Sequence, residues 1–128
     1  MSKEGETLRV LILEDDPTIS MALEAVVEDA VSAVILVRPS VASAEQVLDQ
    51  HFDMALLDIE LTNGETYNIA RALDSKAVPF AFVSGNSREQ IPEEFRRFPL
   101  IAKPFRAEEI EQAILLATRR GKPSRRRP

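Results

Sequence analysis

The stretch that decides the fold is Leu8-Arg9-Val10-Leu11-Ile12-Leu13-Glu14-Asp15-Asp16-Pro17, in which an apolar run ends in three acidic residues. A second apolar run, Met54-Ala55-Leu56-Leu57, ends in a single carboxylate, Asp58. Carboxylates at the ends of neighbouring buried strands repel one another, and at low dielectric this repulsion is costly unless a cation is shared. The pattern therefore predicts a metal site at one edge of a sheet.

Helical patterns alternate with apolar runs along the rest of the chain. Asp16 suits an N-cap and Pro17 the first helical turn, and apolar residues from Ile19 to Ala30 follow the spacing of an amphipathic helix. Continuously apolar strands that alternate with helices predict a three-layer α/β fold, a doubly wound five-stranded parallel sheet with five flanking helices. The predicted strands are 8–13, 33–37, 53–57, 80–83 and 100–102. After the first helix, further helices are predicted over 43–50, from Ile69, within 87–98 and over 107–119. Thr62-Asn63-Gly64 is a predicted turn.

The bulk composition indicates one soluble domain. The chain has 128 residues, of which 45% are hydrophobic and 29% charged, and these values are ordinary for a globular protein. It contains no cysteine, which excludes disulfides and thiolate metal sites. No apolar run approaches a membrane span of about 20 residues, and the N-terminus lacks a secretory pattern. We therefore expect a cytoplasmic protein without a membrane association.

The charge is distributed unevenly, although the net charge is only -5. Residues 119–128 carry six basic residues and no acidic one, which leaves residues 1–118 with ten basic and 21 acidic residues. An acidic body is not typical of a nucleic-acid-binding domain, so we expect no direct nucleic-acid binding. The basic tail lacks apolar residues and is predicted to be disordered. The predicted domain is 7–118.

The candidate functional residues follow the predicted strands. In open parallel sheets, ligands bind beyond the carboxyl ends of the strands. Glu14-Asp15-Asp16 follow the first strand, Asp58 the third, Ser84 the fourth and Lys103 the fifth. The carboxylates suit a hard, octahedral cation with oxygen ligands, and Lys103 is a mobile point charge that could reach Asp58 or an anion bound to it. Together these groups would neutralise a phosphoryl group attached to Asp58.

The chain resembles the receiver domain of two-component response regulators over residues 7–118. Four motifs carry the resemblance: Leu11-Ile12-Leu13-Glu14-Asp15-Asp16, Phe52-Asp53-Met54-Ala55-Leu56-Leu57-Asp58, Pro79-Phe80-Ala81-Phe82-Val83-Ser84-Gly85 and Lys103-Pro104-Phe105. Each motif alone is weak, but all four occur in order and at strand ends. The resemblance implies a flavodoxin-like sheet with the strand order 2-1-3-4-5.

The resemblance also implies a magnesium-dependent phosphoacceptor. Asp58 would take a phosphoryl group from a histidine kinase or a histidine phosphotransfer protein. Asp15 and Asp58 would bind Mg²⁺ directly, Glu14 would bind it through water, and the main-chain carbonyl of Glu60 would supply another ligand.

The remaining implied residues hold the phosphoryl group and carry the switch. Ser84 and Lys103 would each bond a phosphoryl oxygen, and Lys103-Pro104 matches the usual cis peptide of the family. Leu100 stands where the family usually has an aromatic switch residue. We therefore expect the signal to travel by loop reordering or by a shift of the fourth helix.

The leading hypothesis is a single-domain response regulator that acts through protein partners or passes the phosphoryl group on. It would be no enzyme beyond autocatalytic phosphotransfer and self-dephosphorylation, and a homodimer through the fourth helix, fifth strand and fifth helix is a further interpretation. One alternative is a phosphorylation-independent binding module with the same fold. Another is a haloacid-dehalogenase-like phosphatase, but Glu14-Asp15-Asp16 does not match its Asp-x-Asp pattern. A nucleotide-binding role is weaker still, because no glycine-rich loop follows the first strand.

Overall fold

The structure, a computed structural model, describes residues 7–61 and 64–121, with side chains as far as Thr118. Its strands are β1 (Leu8–Leu13), β2 (Ala33–Arg38), β3 (Met54–Leu57), β4 (Glu60–Leu61), β5 (Gly64–Glu65), β6 (Phe80–Ser84) and β7 (Leu100–Ala102), and its helices are α1 (Pro17–Ala30), α2 (Val41–Glu45), α3 (Tyr67–Ser75) and α4 (Ala107–Gly121). Residues 122–128 of the predicted disordered tail lie outside the described residues, whereas residues 119–121 form the end of α4. None of the described helices has the length and hydropathy that a membrane span needs.

The main sheet has five parallel strands in the order β2-β1-β3-β6-β7. This order confirms the predicted fold, since β6 and β7 are the fourth and fifth strands of the main sheet. Leu13 pairs with Leu57, and Leu57 pairs with Phe82. This register brings the carboxyl ends of β1, β3 and β6 to one edge of the sheet.

Alternate residues of the central strands pack on opposite faces of the sheet. Leu11, Leu57 and Phe82 belong to a buried cluster that also contains α3 residues. Ile12 and Leu56 belong to a second buried cluster, which contains residues of α1 and α4. Because both faces are covered, β1, β3 and β6 are apolar except for Arg9 in β1 and Ser84 at the end of β6, which explains their apolar runs.

Helix α1 begins as the sequence predicts. The Asp16 side chain accepts a hydrogen bond of 2.9 Å from the Thr18 amide, and Pro17 occupies the first helical position. Leu23 and Val27 are buried on its inner face. The acidic residue nearest the helix therefore serves as its cap, while Glu14 and Asp15 lie before the helix.

The prediction of five helices is wrong, because the described residues contain four α-helices. The segment 87–98 holds two 3₁₀ turns instead, at Arg88–Gln90 and Glu93–Phe95. Pro92 is the physical reason, since a proline disfavours the helical conformation of the residue before it, and Ile91 is extended with φ -95° and ψ 138°. Helix α2 is also shorter than predicted and ends at Glu45.

A small antiparallel hairpin, β4 and β5, follows the site strand β3 and was not predicted. The predicted turn at Thr62-Asn63-Gly64 lies partly outside the described residues. Gly64 has φ +137°, a conformation that strains any residue with a side chain. The hairpin places Glu60 three residues after the end of β3.

Candidate functional site

The two acidic motifs meet at the carboxyl edge of the sheet. The Asp58 amide donates a 2.9 Å hydrogen bond to the Leu13 carbonyl, which extends the pairing of β3 with β1 by one residue. Asp58 therefore lies beside Glu14, the next residue after β1. Both residues are buried, with 8% and 2% of their surface exposed.

Lys103 joins these carboxylates from the other side of the sheet edge. Its amide donates to the Ser84 carbonyl at 3.0 Å, which extends the pairing of β7 with β6. Its Nζ donates to Glu14 Oε1 at 2.8 Å and to Asp58 Oδ2 at 3.1 Å. The peptide bond between Lys103 and Pro104 is cis, as the resemblance implies.

The carboxylates are arranged as a divalent metal site needs them. Carboxylate oxygens of Glu14, Asp15 and Asp58 all lie within 4.8 Å of one another. With all three groups ionised and Lys103 protonated, the cluster carries two negative charges. Oxygen donors and this charge fit Mg²⁺, which binds through one or two carboxylates and retains water.

The electrostatics of the pair formed by Glu14 and Lys103 reflect their burial. Burial raises the pKa of the Glu14 carboxyl, with a smaller rise from the Asp58 charge, and hydrogen bonds from Lys103 and the Asp16 amide oppose these effects. Burial on its own lowers the pKa of Lys103, but its hydrogen bonds to Glu14 and Asp58 outweigh burial, so that this pKa is raised. Lys103 therefore stays protonated and offers a permanent positive charge beside Asp58.

Ser84 lies at the end of β6 and is 1% exposed. Its hydroxyl donates a 2.8 Å hydrogen bond to Asn86 Oδ1, and the backbone N–H of Asn86 donates a 3.2 Å hydrogen bond to Ser84 Oγ. The Ser84 side chain thus has a local partner two residues along the chain.

Asp58, Ser84 and Lys103 line a cleft of about 370 Å³ at the edge of the sheet. Its lining residues are Asp58, Glu60, Ser84, Gly85, Asn86, Gln90 and Lys103. The cleft brings together the predicted phosphoacceptor, serine and lysine. Of the four predicted metal ligands, Asp58 and Glu60 line it, whereas Glu14 and Asp15 are not among its lining residues. Asn86 lies where the resemblance implies that the family tunes self-dephosphorylation. Gln90 was given no role from the sequence, although the Ser87-x-x-Gln90 spacing of a capping box indicates a turn at this point.

The remaining predicted switch residue, Leu100, lies apart from the cleft lining. It is half-buried and packs against the cluster that contains Phe82 and Phe95. Its position is that of a core side chain at the first residue of β7.

A larger cavity of about 740 Å³ lies at the opposite edge of the sheet. Met54 and Phe80, which line it, are the first residues of β3 and β6. The chemically equipped cleft is the smaller one, because it alone of these two contains Asp58, Ser84 and Lys103.

Comparison with known proteins agrees with this fold. The family model described as "Response regulator receiver domain" matches residues 10–115. Among curated proteins, the transcriptional regulatory protein DltR of Streptococcus agalactiae is 25% identical in an alignment 119 residues long, which covers 89% of this chain and 53% of DltR. The chain thus spans about half the length of the curated relatives it matches.

Among solved structures, SdrG from Sphingomonas melonis Fr1 is 32% identical with a TM-score of 0.73, over 87% of this chain and 96% of SdrG. The response regulator PhyR from Brucella abortus is 25% identical with a TM-score of 0.78, over 94% of this chain and 51% of PhyR. The chain therefore belongs to the family of response regulator receiver domains, which work in two-component phosphorelay signalling.

Proposed function

We propose that this chain is a single-domain response regulator in which Asp58 accepts a phosphoryl group from a histidine kinase or a histidine phosphotransfer protein. The observation that carries the proposal is the meeting of Asp58 with Lys103 and the acidic cluster. Lys103 Nζ is 3.1 Å from Asp58 Oδ2, and carboxylate oxygens of Asp58, Glu14 and Asp15 lie within 4.8 Å of one another.

The transfer step uses Asp58 as the nucleophile. A carboxylate oxygen of Asp58 attacks the phosphorus atom of a phosphohistidine, an oxygen–phosphorus bond forms, and the phosphorus–nitrogen bond breaks. The electron pair of the broken bond stays on the imidazole nitrogen, which then takes up a proton. Phosphoryl transfer needs positioning and charge neutralisation more than covalent help from the protein, so a small group of side chains suffices.

The acidic cluster would hold Mg²⁺. Asp15, Asp58 and the main-chain carbonyl of Glu60 would bind it directly, and Glu14 would bind it through water. The ion, when bound, supplies positive charge for the oxygens of the transferring phosphoryl group.

Lys103 and Ser84 would bind the phosphoryl group once it is on Asp58. Lys103 is within hydrogen-bond distance of Asp58 Oδ2, so its ammonium needs only a small movement to reach a new oxygen there. The Ser84 hydroxyl lines the same cleft and can donate one hydrogen bond.

The output of the protein would be contact with other proteins or onward phosphotransfer. Cytoplasmic location and the lack of further enzymatic activity stay predictions. A homodimer would use the face formed by segment 87–98, β7 and α4, on which Leu115 and Leu116 are 45% and 48% exposed.

The test is phosphorylation with a small-molecule donor. Incubation with Mg²⁺ and acetyl phosphate is expected to add one phosphoryl group, detected by intact mass. Asp58→Ala should abolish the modification, whereas Asp74→Ala, which removes an exposed aspartate of α3, should keep it. An unmodified wild-type protein, or equal modification of Asp58→Ala, would contradict the proposal.

The alternative, a phosphorylation-independent binding module, draws on the core position of Leu100 in place of an aromatic switch residue. Titration with Mg²⁺ separates the two functions, because a pocket without phosphoryl chemistry has no need of the ion. Weak Mg²⁺ binding together with an unmodified mass would favour the alternative.

A further inference from the structure

We infer that Asn86 is a positioning residue that accepts the one hydrogen bond the Ser84 hydroxyl can donate, so that phosphorylation of Asp58 must break the Ser84–Asn86 hydrogen bond. The inference deepens the proposed function and rests on it. Asn86 and a phosphoryl group on Asp58 would compete for the hydrogen bond that Ser84 donates.

The competition follows from the number of protons on a hydroxyl group. Ser84 has one O–H, and it donates that proton to Asn86 Oδ1 at 2.8 Å. A phosphoryl oxygen on Asp58 would need the same proton. Ser84 cannot donate to both acceptors at once, so the two bonds exclude each other.

The geometry holds the hydroxyl in this arrangement from two sides. The backbone N–H of Asn86 donates a hydrogen bond to Ser84 Oγ at 3.2 Å, while the Asn86 side chain accepts the hydrogen bond that the Ser84 hydroxyl donates. Ser84 is 1% exposed, and water has little access to replace Asn86 as the partner. Asn86 lines the same cleft as Asp58 and Lys103, so both acceptors that compete for the Ser84 proton would lie in one cleft.

The Asn86→Ala variant therefore distinguishes two roles of Asn86 that have opposite effects on the binding of a phosphoryl mimic. If Asn86 restrains Ser84, the Asn86→Ala variant frees the hydroxyl and strengthens the binding of a phosphoryl mimic. One net hydrogen bond corresponds to roughly a two- to tenfold change in affinity. If the Asn86 carboxamide instead binds the phosphoryl group itself, the same change weakens binding.

The experiment is a double-mutant cycle with beryllofluoride at saturating Mg²⁺, read by calorimetric titration. The four proteins are the wild type, Asn86→Ala, Ser84→Ala and the double variant. Asn86→Ala is expected to tighten binding about two- to tenfold when Ser84 is present, and to change nothing in the Ser84→Ala background. Asn68→Ala, which removes an asparagine of α3 outside the cleft, should match the wild type.

A second measurement reads the bond without any ligand. Amide hydrogen exchange of Asn86 should accelerate in the Ser84→Ala variant, because its N–H loses the Ser84 Oγ acceptor. Equal thermal unfolding midpoints of Asn86→Ala and the wild type would show that the affinity change is not a folding defect.

The possible failures are distinct. Weaker binding by Asn86→Ala, or the same change in both Ser84 backgrounds, overturns the role of Asn86 and leaves the proposed function standing. A wild-type protein that does not bind beryllofluoride with Mg²⁺ overturns both.

Discussion

At the scale of single residues, Lys103 balances a charge cluster that the fold has forced together. Its ammonium bridges Glu14 and Asp58, two carboxylates that are almost fully buried. Removing one partner of such a network leaves the others uncompensated, which costs far more than the net value of the intact pairs. The lysine therefore matters for the stability of the protein as well as for its proposed chemistry.

The Lys103→Met variant tests this balance. We expect it to lose roughly 1–3 kcal/mol of unfolding free energy at neutral pH, the usual cost of leaving a buried polar group without its partner, because both carboxylates lose their cation. Mg²⁺ should restore a larger share of stability to the variant than it adds to the wild type, since the ion replaces the missing charge. Chemical denaturation with and without Mg²⁺ measures both effects.

The matched control is Lys76→Met, which removes a lysine at the end of α3, distant from the acidic cluster. Equal losses in the two variants, or a loss in Lys103→Met that Mg²⁺ leaves unchanged, would show that charge balance is not the cause.

The residue scale also shows how far the sequence predicts a site. Glu14, Asp58 and Lys103 could be brought together from the sequence, because each directly follows a buried strand and the ends of parallel strands meet at one edge. The bond of Ser84 to Asn86 could not, because it depends on side-chain rotamers in a turn, and periodicity carries no information about rotamers.

At the scale of elements, the segment 87–98 shows how a sequence without a helix satisfies its backbone. Arg96 donates from Nε to the Ile91 carbonyl at 2.8 Å and from Nη2 to the Glu89 carbonyl at 3.1 Å. Arg88 donates to the Arg96 and Phe98 carbonyls. Two guanidinium groups thus hold the 3₁₀ turns together in the place of helical hydrogen bonds.

The Arg96→Ala variant is expected to loosen this segment locally. Amide hydrogen exchange should accelerate within 87–98 and stay unchanged in β1 and β3, with a loss of about 1 kcal/mol of unfolding free energy. Arg96→Lys should behave almost as poorly, because lysine keeps the charge but cannot donate two bonds in a fixed fork.

Arg106→Ala is the control, since Arg106 is an exposed arginine outside the segment. Full protection in Arg96→Lys would mean that charge, and not the fork of donors, holds the turns.

The same segment marks where element prediction from the sequence failed. Its polar residues were compatible with a helix, but Pro92 favours an extended backbone at Ile91, and this divides the segment into two 3₁₀ turns. The strands were predictable because each is an apolar run bounded by charge or proline. The β4–β5 hairpin was not, because strands of two residues have no measurable period.

At the scale of the whole molecule, binding at one edge of the sheet should stabilise the entire domain. A ligand that binds only the folded state adds stability in proportion to the logarithm of its concentration over its dissociation constant, about 2.7 kcal/mol at a hundredfold excess. The proposed Mg²⁺ ligands come from the ends of two central strands. Unfolding of either strand would therefore release the ion.

We expect Mg²⁺ to raise the unfolding midpoint of the wild-type protein and to leave that of Asp15→Asn unchanged. Asp15 follows β1 and contributes an oxygen to the cluster. Asp29→Asn, an exposed change at the end of α1, should keep the full rise. A rise of equal size in Asp15→Asn would place the ion elsewhere; differential scanning calorimetry across a Mg²⁺ series measures all three.

The order of the strands belongs to this scale, and residue patterns alone did not determine it. Alternating strands and helices predicted a parallel sheet, but the order 2-1-3-4-5 came from the resemblance to receiver domains. The observed order agrees. An apolar run indicates burial but does not specify its neighbours, so topology needs the additional knowledge of a family.

The alternation of β3 residues between the two core clusters has a consequence for how this chain can change over evolutionary time. Deleting one residue between Met54 and Asp58 would shift the residues on one side of the deletion by one position and turn their side chains to the opposite face of the sheet. Length changes between 87 and 98 would fall in 3₁₀ turns outside the sheet, where only Ile91 and Phe95 are buried in the core cluster. We therefore expect insertions and deletions among natural homologues to be more frequent between 87 and 98 than between Met54 and Asp58.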